Sequence, residues 1–96
     1  MNRSMILDYI KAHKRFFKKE FKVKKIGLFG SFARDEEDDN SDIDIVVELE
    51  KPDMFYLIGI KQTLEEKFNK KVDVVRIRDK MNEVLKDKIM REVIYV

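Results

Sequence analysis

The chain has 96 residues, of which 44% are hydrophobic and 42% are charged. This length predicts one domain spanning residues 1–96, too small to hold a separate substrate-recognition domain. A formal net charge of +2 argues against direct nucleic-acid binding, and the absence of cysteine excludes disulfides and thiolate metal sites. Because Asp8 and Lys11 interrupt the first apolar stretch and no apolar run approaches a membrane span, we expect a cytoplasmic protein without membrane contact.

The first 41 residues predict a helix, a strand, a short helix and a loop. Apolar residues at three- and four-residue spacing predict an amphipathic helix from about Ser4, its N-cap, to Lys19. The run "KKIGLF" at 24–29 predicts the first strand, which ends in a tight Gly-Ser turn. A short helix from Phe32 gives way to the acidic "DEEDDNS" at 35–41, which favours a loop.

Residues 42–50, "DIDIVVELE", predict the second strand because polar and apolar residues alternate along its first half. Ile43 and Ile45 share one side, and Asp42 and Asp44 share the other.

The remaining sequence predicts two helices around a third strand. Pro52-Asp53 opens a helix that extends to Asn69. The β-branched run at 72–77 predicts a strand, and Asp79 or Asn82 caps the last helix. The order α-β-α-β-α-β-α predicts an α/β (α+β) fold with a small, mixed, three-stranded sheet covered by helices, in which strands one and two are antiparallel.

Three aspartates in predicted strands are the candidate catalytic and metal-binding residues. Asp42 and Asp44 project from one side of strand two, with Cα atoms roughly 6 to 7 Å apart. Asp73 is a lone acid in strand three, so the three carboxylates converge if these strands are neighbours. Such a cluster suits one or two Mg²⁺ ions, which can stabilise attacking and leaving oxygens in phosphoryl transfer.

The turn before the acidic loop is the candidate phosphate-binding element. Gly30 lets a phosphate approach the backbone, and the Ser31 hydroxyl can donate a hydrogen bond to it. Arg34, one helical turn further, can reach a phosphate oxygen.

Simpler interpretations stay open beside this one. An edge strand with a solvated acidic face would also place Asp42 and Asp44 together. An EF-hand fails because residues 35–49 offer no register with the required glycine and glutamate. The lysine-rich stretch at 11–25 fits a solvated helix face or a partner-docking surface better than an RNA patch, and His13 fits the apolar stripe of the first helix.

The residues Gly-Ser-Phe-Ala-Arg at 30–34 and Ser-Asp-Ile-Asp-Ile-Val-Val at 41–47 resemble the signature of the polymerase-beta-like nucleotidyltransferase superfamily. The short chain, with "VDVV" at 72–75 and "LKDKIMREVIYV" at 85–96, is similar to the minimal nucleotidyltransferases. These are the MNT-domain antitoxins paired with HEPN-domain toxins. The resemblance covers about 23–96.

The resemblance implies both the site and the reaction. Gly30, Ser31 and Arg34 would bind the phosphates of ATP, the co-substrate. Asp42, Asp44 and Asp73 would be the catalytic Mg²⁺ ligands, and Asp73 would also help to deprotonate the attacking hydroxyl. AMP would pass to a protein hydroxyl, a tyrosine of the partner HEPN toxin, which makes this chain the antitoxin of a type VII pair.

One departure and two alternatives accompany this resemblance. Relatives commonly have glycine after the arginine, where this chain has Asp35, which adds an anion beside the phosphate-binding turn. The chain could instead neutralise its partner by binding alone, or could modify a nucleic-acid end or a small molecule.

Overall fold

The computed structural model describes all residues 1–96 as five helices and a four-stranded sheet. In chain order the elements are α1 (Arg3–Ala12), α2 (Lys14–Phe21), β1 (Val23–Phe29), α3 (Gly30–Ala33), β2 (Ile43–Leu49), α4 (Met54–Phe68), β3 (Val72–Arg76), α5 (Glu83–Glu92) and β4 (Ile94–Tyr95). No helix combines the length and the apolar composition that crossing a bilayer requires.

The sheet has the strand order β3-β2-β1-β4 and is mixed, which confirms the predicted fold class. β1 and β2 are antiparallel, as the short connection between them predicted, whereas β2 and β3 are parallel. The crossover between β2 and β3 is made by α4, a 15-residue helix capped by Asp53. The centre of the sheet is therefore β2 and β1.

The predicted count of three strands is wrong, because the C-terminal residues form a fourth. The last helix ends at Glu92, and β4 pairs antiparallel with Gly27 and Leu28 of β1. A Cβ on Gly27 would lie 2.7 Å from Val93 Cγ2, so glycine permits this close approach. A strand of two residues has no periodicity of its own and depends on its partner strand.

The N-terminal region is also different from the prediction, since two helices replace one. The break is at His13, whose φ of −112° and ψ of 17° leave the helical range. His13 is exposed and its Nδ1 lies 2.8 Å from the Tyr9 carbonyl, so its predicted place on the apolar stripe is wrong. The N-cap is Asn2, which accepts a hydrogen bond from the Met5 amide, rather than Ser4.

The two sides of the sheet are covered very differently. One side, which we call the core face, packs against α1, α2 and α4 and contains a cluster of 14 buried residues. The other, the site face, is covered by α5 and contains only Phe29, Val46 and Ile89 as buried cluster residues. β2 contributes to both: Ile43 and Ile45 point to the core face, and Val46 to the site face.

Candidate active site

The site face brings the predicted carboxylates to one edge of the sheet. In the parallel pair of β2 and β3, Asp44 is the direct partner of Asp73. Paired residues on adjacent strands point to the same face. Asp42 lies just before β2, which begins at Ile43, and its charge contributes to the raised pKa of Asp44. The condition stated for convergence, that strands two and three are neighbours, is therefore met.

The Gly30 turn lies directly against the Asp44 carboxylate. β1 ends at Phe29, which pairs with Asp44, and Gly30 follows with a φ of 77°. A Cβ added to Gly30 would lie 2.9 Å from Asp44 Cγ and would overlap its Oδ2. Glycine is thus required here by the backbone conformation and by the close approach of the carboxylate.

Among the carboxylates at this edge, Asp44 has the clearly shifted pKa. Its pKa is raised above the ordinary value, first because partial burial penalises the charged form and then because of the Asp73 carboxylate. Asp42 and Glu92 raise this pKa further, while Lys88 of α5 opposes them. Several anions therefore face one another across a partly buried surface, an arrangement that a bound cation would relieve.

The predicted phosphate-binding residues are close together, and part of their donor capacity is already used. Arg34 Nη1 donates to Glu92 Oε1 at 2.6 Å, and its Nε donates to Glu36 Oε2 at 3.2 Å. The Gly30 amide donates to Glu92 Oε2 at 3.0 Å. The partly buried Ser31 hydroxyl makes no hydrogen bond within the chain and is free to donate.

Glu92 and Lys88 are the residues that sequence reasoning missed. Glu92 contacts Gly30 across 62 positions of sequence, which no local pattern reveals. One signal was present: Glu92 ends α5, where the helix dipole disfavours an acid, so a partner elsewhere was to be expected. Lys88 lies one helical turn earlier, and its charge lowers the pKa of Asp44.

Asp35 has a structural explanation. Its φ of 60° lies in the left-handed region, where glycine is the usual residue and aspartate is better tolerated than most others. Asp35 therefore occupies a backbone position that glycine would adopt without strain.

The acids suit a hard cation by their chemistry, but they do not form a closed metal cage. No group of three or more acidic or histidine side chains is close enough to hold a metal ion. Asp42 Oδ2 instead lies 3.8 Å from Lys71 Nζ.

The carboxylate edge is an open surface rather than a cleft. The five clefts of the chain are lined by other residues, and Asp42, Asp44 and Asp73 belong to none of them.

Comparisons with known proteins identify the family of this chain. The family "Polymerase beta, Nucleotidyltransferase" matches residues 11–96. MJ0128 of Methanocaldococcus jannaschii, whose name proposes a protein adenylyltransferase, is 39% identical over 94 residues, which are 97% of this chain and 96% of that protein. Protein adenylyltransferase MntA of Thermococcus cleftensis is 34% identical, over 95% of this chain and 92% of its own length.

Solved structures share the fold. A structure described as that of a candidate minimal nucleotidyltransferase superposes with a TM-score of 0.79 at 25% identity, covering 98% of this chain and 95% of its own. A toxin-antitoxin crystal structure with AMP-PNP gives a TM-score of 0.71 at 25% identity, covering 99% of this chain and 72% of the matched chain. The expectation of a nucleotidyltransferase is confirmed: this chain belongs to the polymerase beta nucleotidyltransferase family.

Proposed function

We propose that this chain is a Mg²⁺-dependent protein adenylyltransferase that transfers AMP from ATP to a tyrosine hydroxyl of a HEPN-domain toxin. In this proposal it is the antitoxin of a type VII pair. The observation that carries the proposal is the contact of the Gly30 turn with Asp44, which is itself paired with Asp73. Supporting this choice, relatives of nearly equal length have names that describe protein adenylyltransferases.

The chain's own residues divide the chemical work. Asp42, Asp44 and Asp73 would hold Mg²⁺, which supplies charge neutralisation at the phosphates when it is bound. The Gly30 amide, the Ser31 hydroxyl and the Arg34 guanidinium would orient the triphosphate so that its α-phosphorus lies near Asp44.

In the proposed transfer, one bond to the α-phosphorus forms and another breaks. The acceptor oxygen forms a bond to the α-phosphorus while the bond from that phosphorus to the bridging oxygen of pyrophosphate breaks. The acceptor proton passes to a base, for which Asp73 is the candidate because its carboxylate lies beside Asp44 on the open edge. Pyrophosphate leaves and the acceptor carries AMP.

The direct test is incubation with α-labelled ATP, Mg²⁺ and the HEPN-type protein encoded nearest to this chain's gene. We expect label on that protein and its loss when the acceptor tyrosine is replaced by phenylalanine. Label from γ-labelled ATP instead, or no label on any acceptor, would contradict the proposal.

Neutralisation by binding alone is the second candidate, and the engagement of Gly30 and Arg34 by Glu92 favours it. The double variant Asp42→Asn/Asp44→Asn separates the two functions. If that variant still protects against the toxin without MgATP, binding is sufficient. If it forms the complex but no longer protects, transfer is required.

A further inference from the structure

We propose that Glu92 is a built-in competitor for the phosphate-binding turn, and that a triphosphate must displace it in order to bind. The inference rests on the proposed function, because that function assigns the Gly30 amide and the Arg34 side chain to phosphates. It adds a residue from α5 that controls access to both groups.

The geometry of Glu92 is that of an anion bound by two donors. Its Oε2 accepts from the Gly30 amide at 3.0 Å, and its Oε1 accepts from Arg34 Nη1 at 2.6 Å. The Glu92 side chain is only 16% exposed and its contact with the Gly30 amide is partly buried, whereas the Arg34 side chain is 36% exposed. Hydrogen bonds between charged partners are about twice as strong as neutral ones, so this clasp holds the turn firmly.

Glu92 and a phosphate cannot both use the Gly30 amide well. A backbone amide has one hydrogen, and here that hydrogen points to Glu92 Oε2. A carboxylate left beside a polyphosphate would also repel it strongly in this partly buried surface. Binding through Gly30 and retention of the clasp are therefore alternatives.

Release of Glu92 would also be felt at the C-terminus. Glu92 is the last residue of α5, and β4 begins two residues later and pairs with Gly27 and Leu28. Movement of Glu92 would loosen the junction between α5 and β4. The exchange of backbone amides at 93–96 is thus a second measure of the displacement.

The opposite role is that Glu92 positions Gly30 and Arg34 for phosphate. The two roles predict opposite signs, because removing a competitor tightens binding and removing a positioning group weakens it. Glu92→Gln removes the negative charge while keeping nearly the same shape. Asp87→Asn is the matched control, since it removes one charge from an exposed residue of α5 that makes no hydrogen bond or ion pair.

The test is calorimetric titration of wild type, Glu92→Gln and Asp87→Asn with MgATP and, separately, with inorganic triphosphate. We expect Glu92→Gln to bind both probes about 10-fold more tightly, the equivalent of losing one charged hydrogen bond to the competitor. Asp87→Asn should bind like wild type. In wild type, triphosphate should speed amide exchange at 93–96, a measurement that stands even if Glu92→Gln fails to fold.

The other outcomes contradict either the role of Glu92 or the proposed function. Equal or weaker binding by Glu92→Gln, or unchanged exchange at 93–96 in triphosphate-bound wild type, would overturn the role of Glu92 alone. If MgATP binds to none of the three proteins, the proposed function fails and this inference fails with it.

Discussion

The core face and the site face of the sheet are built by the same strands and differ in what covers them. On the core face, three helices enclose Ile43 and Ile45 of β2 so completely that neither side chain is exposed. On the site face, α5 covers Val46 but leaves Asp44 only partly buried. Charged groups lose less hydration on the thinly covered face, so carboxylates can gather there without unfolding the domain.

This difference explains how so short a chain combines a stable core with a reactive surface. Side chains along β2 alternate between the faces, so the residues of the core and of the site are neighbours in sequence. A register slip of one residue would exchange the two sets. The apolar residues Ile43 and Ile45 therefore fix the orientation of Asp44, which lies between them.

The largest effect we expect is on catalysis by the site face. On the proposed function, Asp44→Asn should lower the rate of AMP transfer about 1,000-fold, because the substitution would remove a central Mg²⁺ ligand and several kcal/mol of transition-state stabilisation. The measurement is transfer of α-labelled AMP to the acceptor protein. Asp87→Asn, on the same side of the domain, should remain active. If Asp44→Asn retains more than a tenth of the activity, Asp44 is not a metal ligand in the reaction.

The second effect we expect is on stability, and it is tested by the same Ile→Ala substitution on each face. Ile45 and Ile89 are both fully buried, one in the 14-residue cluster and the other in the three-residue cluster. Ile45→Ala should cost about 4 kcal/mol of unfolding free energy and Ile89→Ala about 2 kcal/mol, since the thin face can collapse around a cavity more easily. Urea denaturation of both variants measures the difference. Equal losses would show that the two faces are equally rigid.

The third effect is a dependence of stability on pH that originates at Asp44. Its folded pKa is raised above the ordinary value of 3.8, so the folded state retains a proton that the unfolded state has lost. This contribution to stability is present below pH 3.8 and is lost as the pH rises through the raised folded pKa. Asp44→Asn should not lose this stability as the pH rises. The difference in stability between the variant and wild type should therefore grow from pH 3.8 to the raised folded pKa and stay constant above it.

Thermal unfolding of wild type and Asp44→Asn at a series of pH values checks this prediction. If the difference in unfolding midpoint between the two proteins is the same at all pH values, the folded pKa of Asp44 is not raised. On the proposed function, Mg²⁺ should raise the midpoint of wild type more than that of Asp44→Asn, because the variant lacks one of the three carboxylates that would hold the ion.

The sequence predicts a strand or helix correctly where that element has a clear periodicity of polar and apolar residues. The alternation at 42–50 indicates β2, although the strand begins at Ile43 and leaves Asp42 outside it. The register of β2 and β3 agrees with the predicted meeting of Asp44 and Asp73. The break at His13 was missed because apolar spacing continues across it, from Ile10 to Phe17. Periodicity reports which residues face inward, but not where the backbone turns between them.

Site residues that are far apart in the sequence are harder to predict than those that form a local motif. Gly30, Asp42 and Asp44 lie within 15 positions of one another and form a local motif. Glu92 and β4 reach this motif only because the C-terminal segment pairs with β1 at Gly27 and Leu28. Such long-range pairing depends on the packing of the whole domain, which composition and spacing do not encode.

The smallest effect we expect concerns backbone strain on the two sides of the domain. Asp35 beside the site and Lys22 at the end of α2 both have positive φ, 60° and 56°. Glycine relieves this strain but also gives the unfolded chain more freedom, so the gains are small. Lys22→Gly should raise the unfolding free energy by about 1 kcal/mol and Asp35→Gly by about 0.5 kcal/mol, since aspartate tolerates the left-handed region better than lysine. Denaturation in urea measures both. A larger gain at Asp35 would mean that its carboxylate is repelled by the neighbouring acids, and affinity for inorganic triphosphate should then rise in the same variant.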